Sequence, residues 1–275
     1  MTLQEQIELL SAEAMPSEQE VMPIISELLH LLNTGRVRAA EQDLHGHWRA
    51  NTWVKKGILL CFKYGRMADM STGSFHFFDK HTIPIKQMNL DSGVRVVPGG
   101  SAIRSGAFLA RGVICMPPMY INIGAYVDEG TMIDSHALVG TCAQIGKRVH
   151  LSAAAQIGGV LEPAGARPVI IEDDVFIGGN CGVYEGVIVR KRAVLSSGVV
   201  LNGSTKIFDA VHSRVLESTP NVPLEVPEGA VLVSGTRPLD TPFGKERGLA
   251  VYTPIIVKYR DGKTDAKTAL EEALR

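Results

Sequence analysis

MYINIGAYVDEGTMIDSHALVGTCAQIGKRVHLSAAAQIG, residues 119–158, carries an apolar residue at every sixth position: Ile121, Val127, Ile133, Val139, Ile145, Leu151 and Ile157. The beat extends back through Cys115 to Leu109. After an interruption it resumes at Ile171, Ile177, Val183, Val189, Leu195, Leu201 and Ile207. All sixteen positions are apolar in a chain that is 45% hydrophobic, which chance would give on the order of a few times in a million. Two places before most beats stands a second, mostly small residue, such as Ala125, Ala137, Ala143, Ala155 and Ala193.

A period of six is a multiple of two and not of 3.6, so the beat residues point to one side of short strands. Hexads of this kind predict a mainly β fold, a parallel β-helix with three hexads per triangular coil, in which each coil buries its apolar face only by stacking on the next. Small residues directly after the beat, Gly140, Gly146, Ser152, Gly158 and Gly178 among them, fit the tight corners such a coil needs. A β-sandwich would turn every eight to twelve residues and would not keep a strict six.

Outward from the repeat, Val97 and Ile103 keep the register, so the prism is expected from residue 95. VLEPAGARP interrupts it between Gly159 and Pro168, and an excursion of that type builds a site or a subunit contact. Beyond Ile207 the beat is lost through FDAVHSRVLESTPNVP, and PEGAVLVSG reads as a returning coil. Residues 1–94 read as a small helical domain, with helices over 2–12, 17–33 and 52–62, Ser17 and Glu20 forming a capping box. Its expected place is the open end of the prism, where strand edges need cover. Residues 95–235 form the prism. Residues 236–275 form a C-terminal extension with one strand, LAVYTPIIV, and a short helix in DAKTALEEALR.

The formal net charge of −1 and the lack of a basic stripe argue against a nucleic-acid partner. The acidic, amphipathic start MTLQEQIELL is unlike a secretion signal, and no apolar run approaches the ~18 residues of a membrane span. A soluble, cytoplasmic protein is expected. Cys61, Cys115, Cys142 and Cys181 lack metal-type spacing and read as reduced structural residues.

The chain contains no GxSxG, HExxH, phosphate-binding or dinucleotide-binding loop, so polar residues on the repeat must carry any chemistry. Asn122, Asp128 and Asp134 directly follow beats, and Glu129 and Glu185 come one place later. Carboxylates there act as general bases for an amine or remain solvated edge charges. Arg95, Arg104 and Arg111 are placed to hold an anion by paired hydrogen bonds. His136 and His150 raise a zinc alternative, but no third histidine stands at matching spacing, and no metal is expected.

RVVPGGSAIRSGAF, MYINIGAYVDEGTMIDSH, IGGVLEP with IIEDDVFIG, and YEGVIV with SGVVLNGSTKIFD resemble the tetrahydrodipicolinate N-succinyltransferases of lysine and diaminopimelate synthesis. The resemblance implies a left-handed β-helix, a homotrimer with sites between subunits, and succinyl-CoA as the acyl donor. It places the substrate-binding arginine at Arg95 and the catalytic aspartate at Asp134. A further family segment, Arg-Ser-Glu followed by two aliphatics and Glu-Gly, reads here Asn180, Cys181, Gly182, Val183, Tyr184, Glu185, Gly186. Its first glutamate is replaced by Gly182, which leaves Glu185 as the second catalytic candidate. Arg104 is an additional substrate-binding candidate. Ser197, Gly198 and Gly203 are expected to let the pantetheine arm lie close to backbone, and Lys206 to meet a phosphate or the succinyl carboxylate. An acetyl-CoA-dependent transferase and a silent or metal-binding β-helix are the alternatives.

The spacing adds an argument of its own. Ile133 and Val183 are fifty residues apart, which is seven or eight hexads depending on how the interruption is counted. Neither is a multiple of three. Asp134 and Glu185 are therefore expected on different sides of one prism, meeting only across a subunit boundary.

Overall fold

The computed structural model describes residues 1–13, 15–220 and 222–262. Its centre is a three-faced, left-handed parallel β-helix whose strands are mostly two residues long, the second of each pair being the beat residue. Face 1 stacks Val96, Cys115, Ile133, Leu151, Ile177, Leu195 and Leu232; face 2 stacks Ile103, Ile121, Val139, Ile157, Val183 and Leu201; face 3 stacks Leu109, Val127, Ile145, Ile171, Val189 and Val226. From Cys115 to Leu201 every beat residue is at most 1% exposed. The small companions two places earlier are buried with them at the corners. Thr131, the polar one, is satisfied there: its hydroxyl donates to the Gly146 carbonyl at 2.8 Å and accepts from the Val149 N–H at 3.0 Å.

The corner chemistry differs from the reading of glycine directly after the beat. The left-handed residue is the third after the beat, at Gly124, Gly130, His136, Cys142, Arg148, Ala154, Asp174 and Asn180. A non-glycine residue there costs roughly 1–2 kcal/mol, which the stacked ladders must offset. Gly140, Gly146, Gly158 and Gly178 are small for another reason, since a Cβ on any of them would run into the next coil; on Gly178 it would come within 2.6 Å of the Ser197 amide nitrogen.

Two beats also move. The first strand is Arg95–Val96, so Val96 and not Val97 sits opposite Cys115. The spacer to Ile103 contains Gly99 and Gly100, both at positive φ, and takes up one extra residue. Ile207 is buried, but its strand, Ile207–Asp209, leaves the prism to pair with Ala250–Tyr259 and Arg214–Leu216. The returning coil is Glu225–Val226 followed by Ala230–Pro238, as PEGAVLVSG suggested. The interruption after Ile157 sets Ile145 opposite Ile171, 26 positions on instead of 18, so the loop adds eight residues.

Three helices, α1 (Leu3–Ala12), α2 (Glu18–Asn33) and α3 (Thr52–Tyr64), form the N-terminal domain. The Ser17–Glu20 capping box is present, and Thr2 with Glu5 makes a second one on α1. Ile7, Val21, Ile25, Leu28, Ile58 and Cys61 build its core, which continues into Ile123 and Cys142 of the prism. The domain lies along face 3 and the neighbouring edge and does not plug the open end. Ala40 and Trp48 pack on Ile170 and Ile188, and Arg38 stacks on Tyr126 at 3.6 Å while donating to Gln144. Aromatic and apolar outward residues on face 3 drew it there. Met88 and Val94, partly buried, pack on the prism core.

At the other end, Ala230–Pro238 and Ala250–Tyr259 form a long antiparallel pair, joined through a short helix α4 (Pro242–Arg247). The first of these strands runs through residue 235, so prism and extension share it. The expected helix in DAKTALEEALR lies outside the described residues. All four cysteines are free and buried.

Candidate active site

Both excursions from the prism leave face 2 and return on face 3: Gly158–Val169 after Ile157, and Asn202–Leu224 after Leu201. They fold back over one edge and enclose a cleft of about 850 Å³ whose walls include Glu162, Pro163, Arg167, Tyr184, Glu185, Asn202, Gly203 and Ser218. Glu185 is exposed and holds a left-handed backbone, φ 54°, followed by Gly186 at φ 71°. One carboxylate oxygen accepts the Gly203 N–H at 3.0 Å. Two sequence-predicted residues are thus in direct contact inside the cleft.

Lys206 lies further along the second excursion, its ammonium 2.7 Å from Glu217 with both side chains about half exposed, 51% and 54%. Such a pair is worth about 0–1 kcal/mol. Arg104 lies on the same edge near the start of the prism. It is ion-paired with Asp79, donates to Asn122 at 3.3 Å, and keeps only 17% of its side chain exposed. Arg111 donates to the Asp91 carbonyl at 3.2 Å.

Asp134 occupies the edge between faces 1 and 2. It is half-buried, with one oxygen accepting the Ser135 N–H at 2.7 Å. Ser197 and Gly198 are on the same edge three coils on, roughly 14 Å away at the inter-strand spacing. Gly198 is tied to the extension, its carbonyl accepting from Ser234 at 3.0 Å. Arg95 is exposed on the first strand of face 1. One chain therefore brings Glu185 to Gly203 but keeps both on a different edge from Asp134, as the fifty-residue spacing required.

Lys55 was missed by the sequence reading. It is fully buried on α3, and its ammonium donates to the carbonyls of Pro163 at 3.3 Å and Ala166 at 2.6 Å. Burial pushes its pKa down. The first wall of the cleft is thereby fastened to the N-terminal domain. Helical spacing held the signal: Lys55, Ile58 and Cys61 share the buried face of α3.

Burial pushes the thiols of Cys61, Cys115 and Cys142 up to about 12, away from the reactive thiolate. Among the described residues, no group of three His, Cys, Asp or Glu side chains is placed to hold a metal ion. His136 occupies a corner, and His150 packs on Phe176 with ring centroids 5.1 Å apart.

A prism of hexads with carboxylates on its edges and a cleft along one of them has the architecture of the hexapeptide-repeat class. Residues 2–64 match the family described as "Tetrahydrodipicolinate N-succinyltransferase N-terminal", and residues 168–202 match "Hexapeptide repeat of succinyl-transferase". The 2,3,4,5-tetrahydropyridine-2,6-dicarboxylate N-succinyltransferase of Nitrobacter winogradskyi is 46% identical over 267 residues, covering 93% of this chain and 90% of the relative. That of Polynucleobacter asymbioticus is 44% identical over 273 residues, covering 97% and 93%. The chain belongs to the 2,3,4,5-tetrahydropyridine-2,6-dicarboxylate N-succinyltransferase family.

Proposed function

We propose that the protein transfers the succinyl group of succinyl-CoA to the amine of ring-opened tetrahydrodipicolinate, 2-amino-6-oxopimelate, in lysine and diaminopimelate synthesis. The likeness to succinyltransferases over nearly the whole chain carries this reading. Attack is direct, within a ternary complex. Asp134 orients the ammonium and takes its proton, and the free amine attacks the thioester carbon. The tetrahedral oxyanion is met by backbone N–H groups along the coils, and the CoA thiolate departs. Glu185 supplies the second carboxylate. Arg95 holds a substrate carboxylate; Arg104 joins it only by releasing Asp79.

The arm of CoA runs along Ser197, Gly198 and Gly203, and Lys206 exchanges Glu217 for a phosphate or the succinyl carboxylate. Because Asp134 and Glu185 stand on different edges, a complete site needs two chains, and a cyclic homotrimer completes three such sites at once. The cytoplasm is the expected place of action; no helix of the described residues is long and apolar enough to cross a membrane.

The test is thiol release with tetrahydrodipicolinate and either succinyl-CoA or acetyl-CoA, the product being identified by mass. Fast release with an N-succinyl product is expected. Preference for acetyl-CoA would keep the fold and change the donor, and no release with either would remove the assignment.

A further inference from the structure

The outward strand residues of face 2 run Ala102, Tyr120, Leu138, Gln156, Gly182, Val200. Gly182 alone lacks a side chain, and the gap is filled by the ring of Tyr184. A Cβ built on Gly182 would come within 2.5 Å of the ring's Cε2 and 2.9 Å of its hydroxyl oxygen. One coil earlier, a Cβ on Gly158 would come within 2.6 Å of Cδ1. Two glycines thus form a bed on which the ring lies. The half-buried phenol lines the cleft next to Glu185, and its hydroxyl has no hydrogen-bond partner among the described residues.

A side chain at position 182 and the Tyr184 ring cannot share the space, so the two glycines are what lets the phenol reach the cleft. An ionised carboxylate such as Glu185 only accepts hydrogen bonds, whereas a phenol hydroxyl also donates one. A donor in that place suits an anion. We propose that Tyr184 is a substrate-contacting residue that donates its phenolic hydrogen to a carboxylate of the bound reactants. The ammonium is left to Asp134 and Glu185. This rests on the succinyl-transfer reading, in which both reactants carry carboxylates.

The experiment is steady-state kinetics of the full-length protein, Tyr184→Phe and Gly182→Ala, with tetrahydrodipicolinate and each of the two acyl donors. Tyr184→Phe removes one oxygen and leaves the ring on its bed. A hydrogen bond to a charged group is worth about 1.5–3 kcal/mol, so kcat/KM is expected to fall roughly 10- to 150-fold, mainly through KM. If the hydroxyl meets the succinyl carboxylate, KM for succinyl-CoA rises and acetyl-CoA use is unchanged. If it meets a carboxylate of the amine substrate, KM for tetrahydrodipicolinate rises with both donors. Gly182→Ala, which lifts the ring, should reproduce the same pattern. Unchanged KM values in Tyr184→Phe overturn the proposal, whatever happens to kcat. The unsubstituted protein is the separate control: its failure to turn over would strike the functional reading and not the tyrosine.

Discussion

The edge between faces 1 and 2 is continuous from Asp134 to Gly198, whereas the edge between faces 2 and 3 is broken by both excursions of the prism. The continuous edge offers a rail of backbone with a carboxylate fixed by its own corner. The interrupted edge offers a cavity of about 850 Å³ with a carboxylate on a left-handed residue. Stacked corners alone give precise placement but little enclosure, and enclosure comes from chain that leaves the repeat. On the proposed reading, a site that needs both a fixed base and an enclosing cleft draws one edge of each kind from two neighbouring chains.

The hardest test of this division is Asp134→Asn. Turnover should fall by about 10²–10⁴-fold, the usual size of a general-base contribution, with melting temperature and oligomer size retained. Unchanged turnover would remove the continuous edge from the chemistry.

The interrupted edge is expected to fail differently, through stability. Asp209, fully buried in the second excursion, accepts from the His212 ring, Arg214 and the Tyr259 hydroxyl, each at 2.9 Å. These bonds outweigh the burial cost and hold its carboxyl well below the usual range. A depressed folded-state pKa means that the stabilisation is complete above the unfolded value near 4 and is lost as pH falls below it. Asp209→Asn should cost roughly 3 kcal/mol at neutral pH. Thermal melts should show the gap between the two proteins closing below about pH 4; a gap independent of pH would mean that the ionised form is not what matters.

How much of this was legible in the sequence follows the same division. The six-residue beat fixed the faces from Leu109 to Leu201, because each beat residue answers only to its own coil and the next. It failed at Val97, where two glycines absorb a residue, and at Ile207, which stays buried in the core but whose strand pairs with Ala250–Tyr259, far along the chain, instead of with the next coil. Asp134 and Glu185 could be assigned to different edges by counting. What could not be counted was how far the excursions fold back. Hence Lys55, whose partners lie 108 and 111 residues away, and the bed beneath Tyr184 went unseen, although the departure at Gly182 was visible.

Lys55 sharpens the comparison, since among the described residues no equivalent hydrogen bond ties the continuous edge to the helical domain. Lys55→Met keeps the length of the side chain and removes both bonds to the loop. About thirtyfold in KM is expected, from two hydrogen bonds whose net worth is about 1 kcal/mol each, with kcat little changed. Faster amide exchange across residues 159–167 should accompany it. A purely structural role would lower the melting temperature and leave KM where it was.

The smallest effect is expected at Lys206. If its ammonium exchanges Glu217 for a donor anion, Glu217→Gln releases it beforehand, and KM for the acyl donor should fall rather than rise. The gain is bounded by the worth of an exposed ion pair, about 0–1 kcal/mol or at most roughly fivefold, and salt should erase it because both groups are solvated. Lys206→Met should raise the same KM by a similar factor. Opposite signs for the two variants at low salt, converging at high salt, are what exchange requires. Equal signs would mean that the pair only braces the second excursion, leaving the donor anion to be met by another group on the cleft.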